Sequence, residues 1–383
     1  MKELKDFSTK LLHIGVENDK HTGAVSVPIY QVSTFHQEDI SKAQDYEYSR
    51  SGNPTRKALE TIIAELEGGV AGFAFSSGMA AMSTVLLLFG VGDHILAPKD
   101  VYGGTYRMLS KVCGKWGINH DFVDTTSLEA IEKAVLRNTK AIVLESPSNP
   151  LLKVSNLPAI CAWAKERGII TIVDNTFMTP YLQRPLEFGA DIVVHSATKF
   201  LAGHSDVVAG LVATGSKHLA NEIYYLQNAL GSILGPQDCW LTMRGIKTLK
   251  VRMDQSQKSA QLIAERFAAH PKIKAIHYPG LTSHPGHELL KQQAEGFGAV
   301  LSFEAETAQL ARKIMSKVKL SAVAVSLGGV ESILSYPVTM SHAAIPAKVR
   351  AELGISDALL RLSVGLESPD DIAEDILSAM EED

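Results

Sequence analysis

The sequence predicts an α/β protein with a mostly parallel sheet of seven strands and a smaller α+β C-terminal domain. From about residue 70, short apolar runs alternate with amphipathic stretches; a long helical passage follows, and the last third mixes strands with helices. Strands that alternate with helices of this length indicate crossover connections, which give parallel strands covered by helices on both faces.

The strand candidates are short runs dominated by apolar and β-branched residues. They are Ala71–Phe75, His94–Ala97, Asn119–Val123, Ala141–Glu145, Ile169–Val173, Asp191–His195 and Gly210–Ala213. The stretches between them have the apolar spacing of helices. They are Ala80–Phe89, Tyr106–Lys115, Leu128–Leu136 and Leu157–Arg167.

A helical passage from about Asp238 to Ala268 connects the sheet to the C-terminal unit. In that unit we expect strands at Ala299–Phe303, Ala322–Ser326 and Leu360–Leu362, a helix at Ala308–Met315 and a last helix that begins after Ser368, its N-cap. The first 50 residues show little periodicity. We therefore expect residues 1–50 to form an arm against another subunit, 51–243 the large domain and 244–383 the small one.

Composition limits the classes of protein that remain. The 383 residues carry 37 basic and 42 acidic side chains, a net charge of −5, and 45% of them are hydrophobic. This length favours about two domains, and the absence of a basic run argues against nucleic acid as a partner. No apolar stretch approaches the roughly 20 residues of a membrane span, and the first residues lack the apolar segment of a signal peptide. Three scattered cysteines without a CxxC pattern predict a reduced, cytoplasmic protein without a metal site.

Three strand ends carry polar residues that could do chemistry, since ligands of open α/β sheets bind beyond the carboxyl ends of the strands. After Phe75, Gly78 opens a helix whose free N–H groups suit a phosphate, although this feature taken alone favours a plain glycine turn. Asp174 follows five β-prone residues, four of them apolar, where a carboxylate is costly to bury unless it is paired; an N-cap is the alternative. Lys199 follows the next strand; a lone lysine there is usually a surface residue, but a buried one can act as an amine nucleophile.

Together the three strand ends fit pyridoxal phosphate as a cofactor. The aldehyde would go to Lys199 and the ring nitrogen to Asp174, which lies about one strand–helix–strand unit earlier. The phosphate would go to the start of the helix at Gly78, with Ser196 and Thr198. Neither the GxxxxGK[ST] nor the GxGxxG pattern occurs, which excludes the two commonest nucleotide sites.

At this point the chain resembles the Cys/Met-metabolism pyridoxal-phosphate enzymes, the family of the cystathionine β-lyases, γ-lyases and γ-synthases. The run from Asp174 to Val207 matches the signature of that family. The resemblance covers nearly the whole chain and continues in Tyr46–Thr55, Phe75–Ala80, Asp100–Thr105, Glu145–Pro150, Gly235–Lys247 and Leu360–Gly365. It implies the aspartate-aminotransferase-like (type I) fold of pyridoxal-phosphate enzymes and a homo-oligomer, with dimers packed into a tetramer.

The resemblance also implies a role for each matching position. Lys199 would bind the cofactor covalently and Asp174 would hold the ring-nitrogen proton, while Tyr102 would stack on the ring and act near the amino group. The other expected cofactor-binding residues are Gly78, Met79, Ser196 and Thr198 at the phosphate, Asn149 beside the ring oxygen, and Tyr48 and Arg50, which would reach the phosphate of the neighbouring subunit. The expected substrate-binding residues are Arg361, which would bind the α-carboxylate, with Asn149 and Ser326.

The reaction that the sequence favours is α,β-elimination of L-cystathionine by a cystathionine β-lyase. Val325 precedes Ser326 where many γ-acting relatives carry Glu, so it cannot recognise a distal ammonium group; γ-lyase or γ-synthase activity remains the alternative. An aminotransferase of the same broad fold and a non-catalytic pyridoxal-phosphate-binding protein are the rivals from other classes. Two histidine patterns are given structural roles: His284 and His287 form a turn, and His204 supports the loop after Lys199.

Overall fold

The computed structural model describes residues 6–15, 19, 21–343 and 345–381. The first elements are α1 (Phe7–His13), α2 (Pro54–Glu67), β1 (Ala71–Phe75), α3 (Gly78–Leu86), β2 (His94–Pro98), α4 (Gly103–Arg107), β3 (Asn119–Val123), α5 (Leu128–Ala134) and β4 (Thr139–Glu145). They continue with α6 (Leu157–Glu166), β5 (Ile170–Asp174), α7 (Thr179–Leu182), β6 (Ile192–Ser196), β7 (Gly210–Thr214) and α8 (Lys217–Leu230).

The remaining elements form the C-terminal part. They are α9 (Pro236–Ile246), α10 (Leu249–Ala268), β8 (Ile273–His277), α11 (His287–Gln293), β9 (Val300–Ala305), α12 (Ala308–Lys317), β10 (Ala322–Val323), β11 (Ile333–Ser335), α13 (Ala347–Leu353), β12 (Leu359–Ser363) and α14 (Pro369–Glu381). The five strands β8 to β12 form a second sheet in the order β10-β11-β12-β9-β8.

The large sheet has seven strands in the order β1-β7-β6-β5-β4-β2-β3 and is mostly parallel, as predicted. Only β7 among them runs against its neighbours, β1 and β6. Alternate residues of β4 enter different apolar clusters: Ala141 and Val143 pack with α3, and Ile142 and Leu144 pack with α6. Burial on both faces is the reason these strands read as continuous apolar runs.

The carboxyl ends of the central strands meet at one edge of the large sheet. Glu145 pairs in register with Asp174, and Asp174 with Val194, two residues before Ser196. Beside them α3 begins at Gly78, where a Cβ would lie 2.8 Å from the Cβ of Ser196, so a larger residue would force the helix away. This edge therefore brings the three predicted strand ends together.

The structure corrects several predicted elements. Only Ala322–Val323 of the expected strand at Ala322–Ser326 is extended in a sheet. Its last expected residue, Ser326, has a φ of 95°, which is outside the β region. The expected helix at Tyr106–Lys115 is one turn of α-helix to Arg107, then a π-turn and a 3₁₀ turn. The predicted helical passage at Asp238–Ala268 is confirmed and consists of two helices, α9 and α10.

The first 50 residues are only partly described, because residues 1–5, 16–18 and 20 lie outside the described ranges. Asp6 caps α1, whose Leu11 is buried in the same apolar cluster as Leu59 of α2. We propose the domain division at 51–243 and 244–383; it falls near the end of α9, and α10 beyond it is the helix from which the chain enters the small sheet.

Candidate active site

A cavity of about 430 Å³ lies at the carboxyl edge of the large sheet, against the small sheet. It is lined by most of the predicted site residues, which are Gly78, Met79, Tyr102, Asn149, Asp174, Ser196, Thr198, Lys199, Ser326 and Arg361. Glu145, Thr176, Val325, Met340 and Ser341 also line it. The chain thus brings residues from both sheets to one concave surface, which is where small-molecule sites usually form.

Asp174 ends β5 with its carboxylate anchored by a short turn. Its Oδ1 accepts hydrogen bonds from the backbone N–H of Thr176, at 3.0 Å, and from the Thr176 hydroxyl. Burial raises the pKa of Asp174, and the Thr176 hydrogen bonds and nearby His195 oppose that rise. A cationic donor placed against this carboxylate would therefore stabilise its ionised form.

Glu145 is a second buried carboxylate at this edge, and the sequence analysis gave it no role. Its two oxygens accept from the backbone N–H groups of Tyr102, at 3.0 Å, and Asn149, at 2.9 Å. Burial first, and then the neighbouring Asp174 carboxylate, raise its pKa well above the ordinary range. The signal for it was present in the sequence, because Glu145 ends a buried strand as Asp174 does.

Lys199 follows β6 and turns its amine toward the small sheet. Its Nζ donates to the hydroxyl of Ser326, at 2.6 Å. Burial and then the positive charge of Arg361 lower the pKa of Lys199 to about 8. Since an ordinary lysine titrates near 10.5, this amine is neutral over a much wider pH range and is suited to act as a nucleophile or base.

Arg361 lies in the middle of β12 and is only 2% exposed. Its Nη1 donates to Oδ1 of Asn149, at 2.8 Å, and its Nη2 to the backbone carbonyl of Ser326, at 2.7 Å. Burial lowers the pKa of Arg361 to about 10, and the field of Tyr102 and Glu145 opposes this. Its buried Nε has no hydrogen-bond partner among the described residues, so the guanidinium keeps a donor for an anionic ligand.

The predicted phosphate-binding residues lie around the start of α3. Ser77 caps the helix by accepting from the N–H of Ala80, and the N–H groups of the first turn lie beside Ser196. Thr198 already donates to the carbonyl of Ala209 and accepts from its N–H. The cradle for an anion is therefore made chiefly of the helix N-terminus and Ser196.

Tyr48 and Arg50 are not among the residues that line the cavity. Tyr48 is 44% exposed, the Arg50 guanidinium lies 5.3 Å from its ring centre, and Arg50 Nε donates to Oδ1 of Asn228, at 3.1 Å. Both residues therefore present polar groups at the surface of the chain, away from its own cavity.

The histidines predicted to have structural roles bond to nearby backbone groups; His284 lies in a turn and His287 is the first residue of α11. His284 Nδ1 accepts from the N–H of Gly286, at 3.0 Å, and His287 Nδ1 lies 2.7 Å from the carbonyl of Pro279. His204 Nδ1 lies 2.7 Å from the carbonyl of Ala202, in the loop after Lys199.

Comparison with known proteins gives the chain its family. The model of the Cys/Met metabolism PLP-dependent enzymes matches residues 8–381. This chain belongs to that family. It is 54% identical to the cystathionine β-lyase MetC of Bacillus subtilis (strain 168) over 374 residues, which are 98% of this chain and 96% of that protein.

Other members of the family carry different names at nearly the same similarity. A cystathionine γ-lyase of Bacillus subtilis (strain 168) is 53% identical over 97% of this chain and 98% of its own. The crystal structure of cystathionine γ-lyase from Lactobacillus plantarum complexed with L-serine superposes with a TM-score of 0.96 at 46% identity, over 99% of this chain and 100% of that one. The fold is therefore that of the pyridoxal-phosphate-dependent trans-sulfuration enzymes, as predicted.

As a member of this family the chain is an enzyme dependent on pyridoxal phosphate, and the cavity fits that cofactor. A helix N-terminus suits its phosphate and the Asp174 carboxylate suits its protonated ring nitrogen. The Lys199 amine, with its lowered pKa, suits its aldehyde.

The uptake of pyridoxal phosphate by the apoprotein should depend on pH through Lys199. The amine attacks only when neutral, and its pKa is about 8, so we expect the uptake rate to rise with pH with a midpoint near 8. Stopped-flow absorbance of the apoprotein mixed with cofactor would measure this. A rise centred near the ordinary lysine value of 10.5 would contradict the expectation.

Proposed function

We propose that this enzyme is a cystathionine β-lyase, which converts L-cystathionine and water into homocysteine, pyruvate and ammonia. The observation that carries the proposal is the convergence of the Lys199 amine, the Asp174 carboxylate and the Arg361 guanidinium in one cavity. The names of several relatives support it, including the cystathionine β-lyases of Bacillus subtilis, at 54% identity, and Lactococcus lactis, at 53%.

Substrate binding rests on Arg361. Its planar guanidinium binds the α-carboxylate of the amino acid in a two-point contact, with Asn149 and Ser326 as neighbours on either side. This contact fixes the α-carbon relative to the Lys199 amine, because Ser326 contacts both Arg361, through its carbonyl, and Lys199, through its hydroxyl.

Proton transfer rests on Lys199. When bound, pyridoxal phosphate withdraws electrons from the α-carbon of the substrate. Lys199 removes the α-proton, and Lys199 or Tyr102 returns a proton to the sulfur as the bond from the β-carbon to sulfur breaks. Asp174 would hold the proton on the ring nitrogen of the bound cofactor, with Tyr102 against the ring and Asn149 beside its oxygen. The rest of the substrate, a three-carbon unsaturated amine, leaves the enzyme, takes up water and breaks down to pyruvate and ammonia.

The choice of β-elimination rests on Val325. It is 65% exposed and lines the cavity next to Ser326, where it presents an apolar surface to the distal part of a substrate. Valine cannot form the ion pair with a distal ammonium group that the glutamate of many γ-acting relatives could form at this position. Cysteine desulfhydration is a side activity of the same chemistry.

The second candidate function is that of a cystathionine γ-lyase, favoured by a relative of that name at 53% identity.

Product analysis with L-cystathionine tests the proposed reaction. We expect pyruvate and homocysteine as the main products, because elimination at the β-carbon leaves the longer thiol. Chromatography of both the oxo acid and the thiol measures them. 2-Oxobutyrate with cysteine as main products would replace β-lyase with γ-lyase activity. A requirement for an oxo-acid acceptor without thiol release would indicate an aminotransferase, and cofactor binding without turnover a non-catalytic protein.

We propose further that the enzyme is a dimer with shared active sites, packed into a tetramer. Tyr48 and Arg50 support this, since they lie exposed and outside the cavity of their own chain, where they are available to the phosphate of a neighbouring subunit.

We also propose a cytoplasmic location. Its support is that Cys113, Cys161 and Cys239 are buried free thiols, as a reducing compartment permits. Among the described residues, no helix combines the length and the apolar character needed to cross a membrane.

A further inference from the structure

His342 is a fully buried histidine beside the active site for which the function proposed above has no role. It lies in the segment between β11 and α13, and the two residues before it, Met340 and Ser341, line the cavity. The segment packs closely on the large domain: a Cβ on Gly103 would lie 2.3 Å from the carbonyl oxygen of Ser341. The cavity wall next to Tyr102 is therefore built on this segment.

The hydrogen bonds of the imidazole define its state. Nε2 lies 3.0 Å from the backbone carbonyl of Asn149, which can only accept, so Nε2 carries the hydrogen. Nδ1 lies 2.8 Å from the Ser341 hydroxyl and is then the acceptor. Burial, and next the charge of Arg361, lower the pKa of His342 to about 4, which agrees with a neutral ring.

The partner of this ring, Asn149, is held from three sides. Glu145 accepts from its N–H at 2.9 Å, His342 donates to its carbonyl at 3.0 Å, and its side-chain oxygen accepts from Arg361 at 2.8 Å. Asn149 follows β4 of the large sheet, whereas Arg361 belongs to the small sheet. The position of the guanidinium thus depends on a residue whose main chain is fixed by His342.

We propose that His342 is a positioning residue for recognition of the substrate's α-carboxylate: it fixes Asn149, and through Asn149 it sets the place of Arg361. The inference deepens the proposed function, on which it rests in assigning the carboxylate to Arg361. Without the imidazole, the buried carbonyl of Asn149 loses its donor, and the segment carrying Met340 and Ser341 loses this hydrogen bond to the large domain.

Binding of glycine to the holoenzyme tests this, with the change in the visible absorbance of the cofactor as signal. Glycine has the α-amino and α-carboxylate groups but no leaving group. We expect His342→Asn, whose amide is too short to reach, to raise the dissociation constant about tenfold or more. His342→Gln, whose amide nitrogen can take the place of Nε2, should stay within about threefold of the wild type.

The matched control is His287→Asn. His287 is also a buried imidazole 2.7 Å from a backbone carbonyl, but on α11, and it should leave glycine binding unchanged. With a turnover substrate, His342→Asn should raise KM more than it lowers kcat, while the affinity for pyridoxal phosphate stays near that of the wild type. Such a split separates positioning from a general loss of structure.

The proposal would be overturned if His342→Asn bound glycine as tightly as the wild type. It would also be overturned if His342→Gln lost as much glycine affinity as His342→Asn. Failure of both His342→Asn and His342→Leu to fold as holoenzyme would also overturn it, since the ring would then be a requirement of the fold. Because glycine carries no sulfur, the test is independent of the reaction. A holoenzyme that shows the expected glycine series but cleaves no cystathionine would contradict the proposed function alone.

Discussion

Lys199→Ala is expected to lower carbon–sulfur bond cleavage by at least about 10⁴-fold, because in the proposed mechanism the amine both holds the cofactor and moves the proton. The side chain is largely buried and bonded to Ser326, and water in the space left by its removal is neither placed nor basic enough to replace it. Thiol release from L-cystathionine measures the loss. Retention of even a tenth of the wild-type activity would contradict the mechanism.

Lys133→Ala is the control for the loss of a lysine, since Lys133 pairs with Glu129 on the exposed face of α5.

The Lys199→Ala variant also tests whether the active site is shared between two subunits. Mixed with an inactive Arg50→Ala variant after subunit exchange, it should restore about a quarter of the wild-type activity, since one site in each hybrid dimer is then intact. No restoration from a mixture in which hybrids have formed would contradict the assignment of Arg50 to the neighbouring subunit.

Asp174→Asn is expected to lower kcat/KM by about 10²–10³-fold. The amide keeps the shape of the carboxylate, and its oxygen can still accept from Thr176, so the fold should persist. What is lost is the negative charge that, in the proposed mechanism, would keep the ring nitrogen of the cofactor protonated. Steady-state kinetics with L-cystathionine measure the effect, and the affinity for pyridoxal phosphate should fall as well.

Asp191→Asn is a closely matched control. Asp191 precedes β6 and accepts from the N–H and hydroxyl of Thr171, at 2.8 and 3.0 Å, much as Asp174 accepts from Thr176. It lies at the opposite edge of the sheet from the cavity, so its change should cost stability without lowering kcat/KM. Equal losses in the two variants would mean that Asp174 acts only by anchoring a turn.

The strands of the large sheet were predictable because burial on both faces demands continuous apolar runs. β1 and β3 have the predicted bounds, and the bounds of the other five differ by one or two residues. β8 and β11 were not predicted. β8 is an edge strand with charged Lys274 and only partly buried faces, and β11 has three residues, too few for a periodic pattern.

In the candidate site, too, some residues could be predicted from local sequence patterns and others could not. Asp174 and Lys199 were expected near one another, because successive parallel strands place their carboxyl ends at one edge. Ser326 and Arg361 came only from the resemblance to the family. Glu145 and His342 were missed: nothing local distinguishes a buried histidine that bonds to a distant carbonyl from one in any core.

By itself, the sequence determined the buried strands of the large sheet and the polar residues at their ends. Both follow from local patterns, namely apolar runs and capping side chains. These patterns do not depend on how distant parts of the chain pack together. Only the tertiary structure decided that Lys199 meets Ser326 and that Arg361 meets Asn149, since these contacts join two sheets far apart in the chain. The lowered pKa of Lys199 belongs with them, because burial against the small sheet and the nearness of Arg361 are its cause.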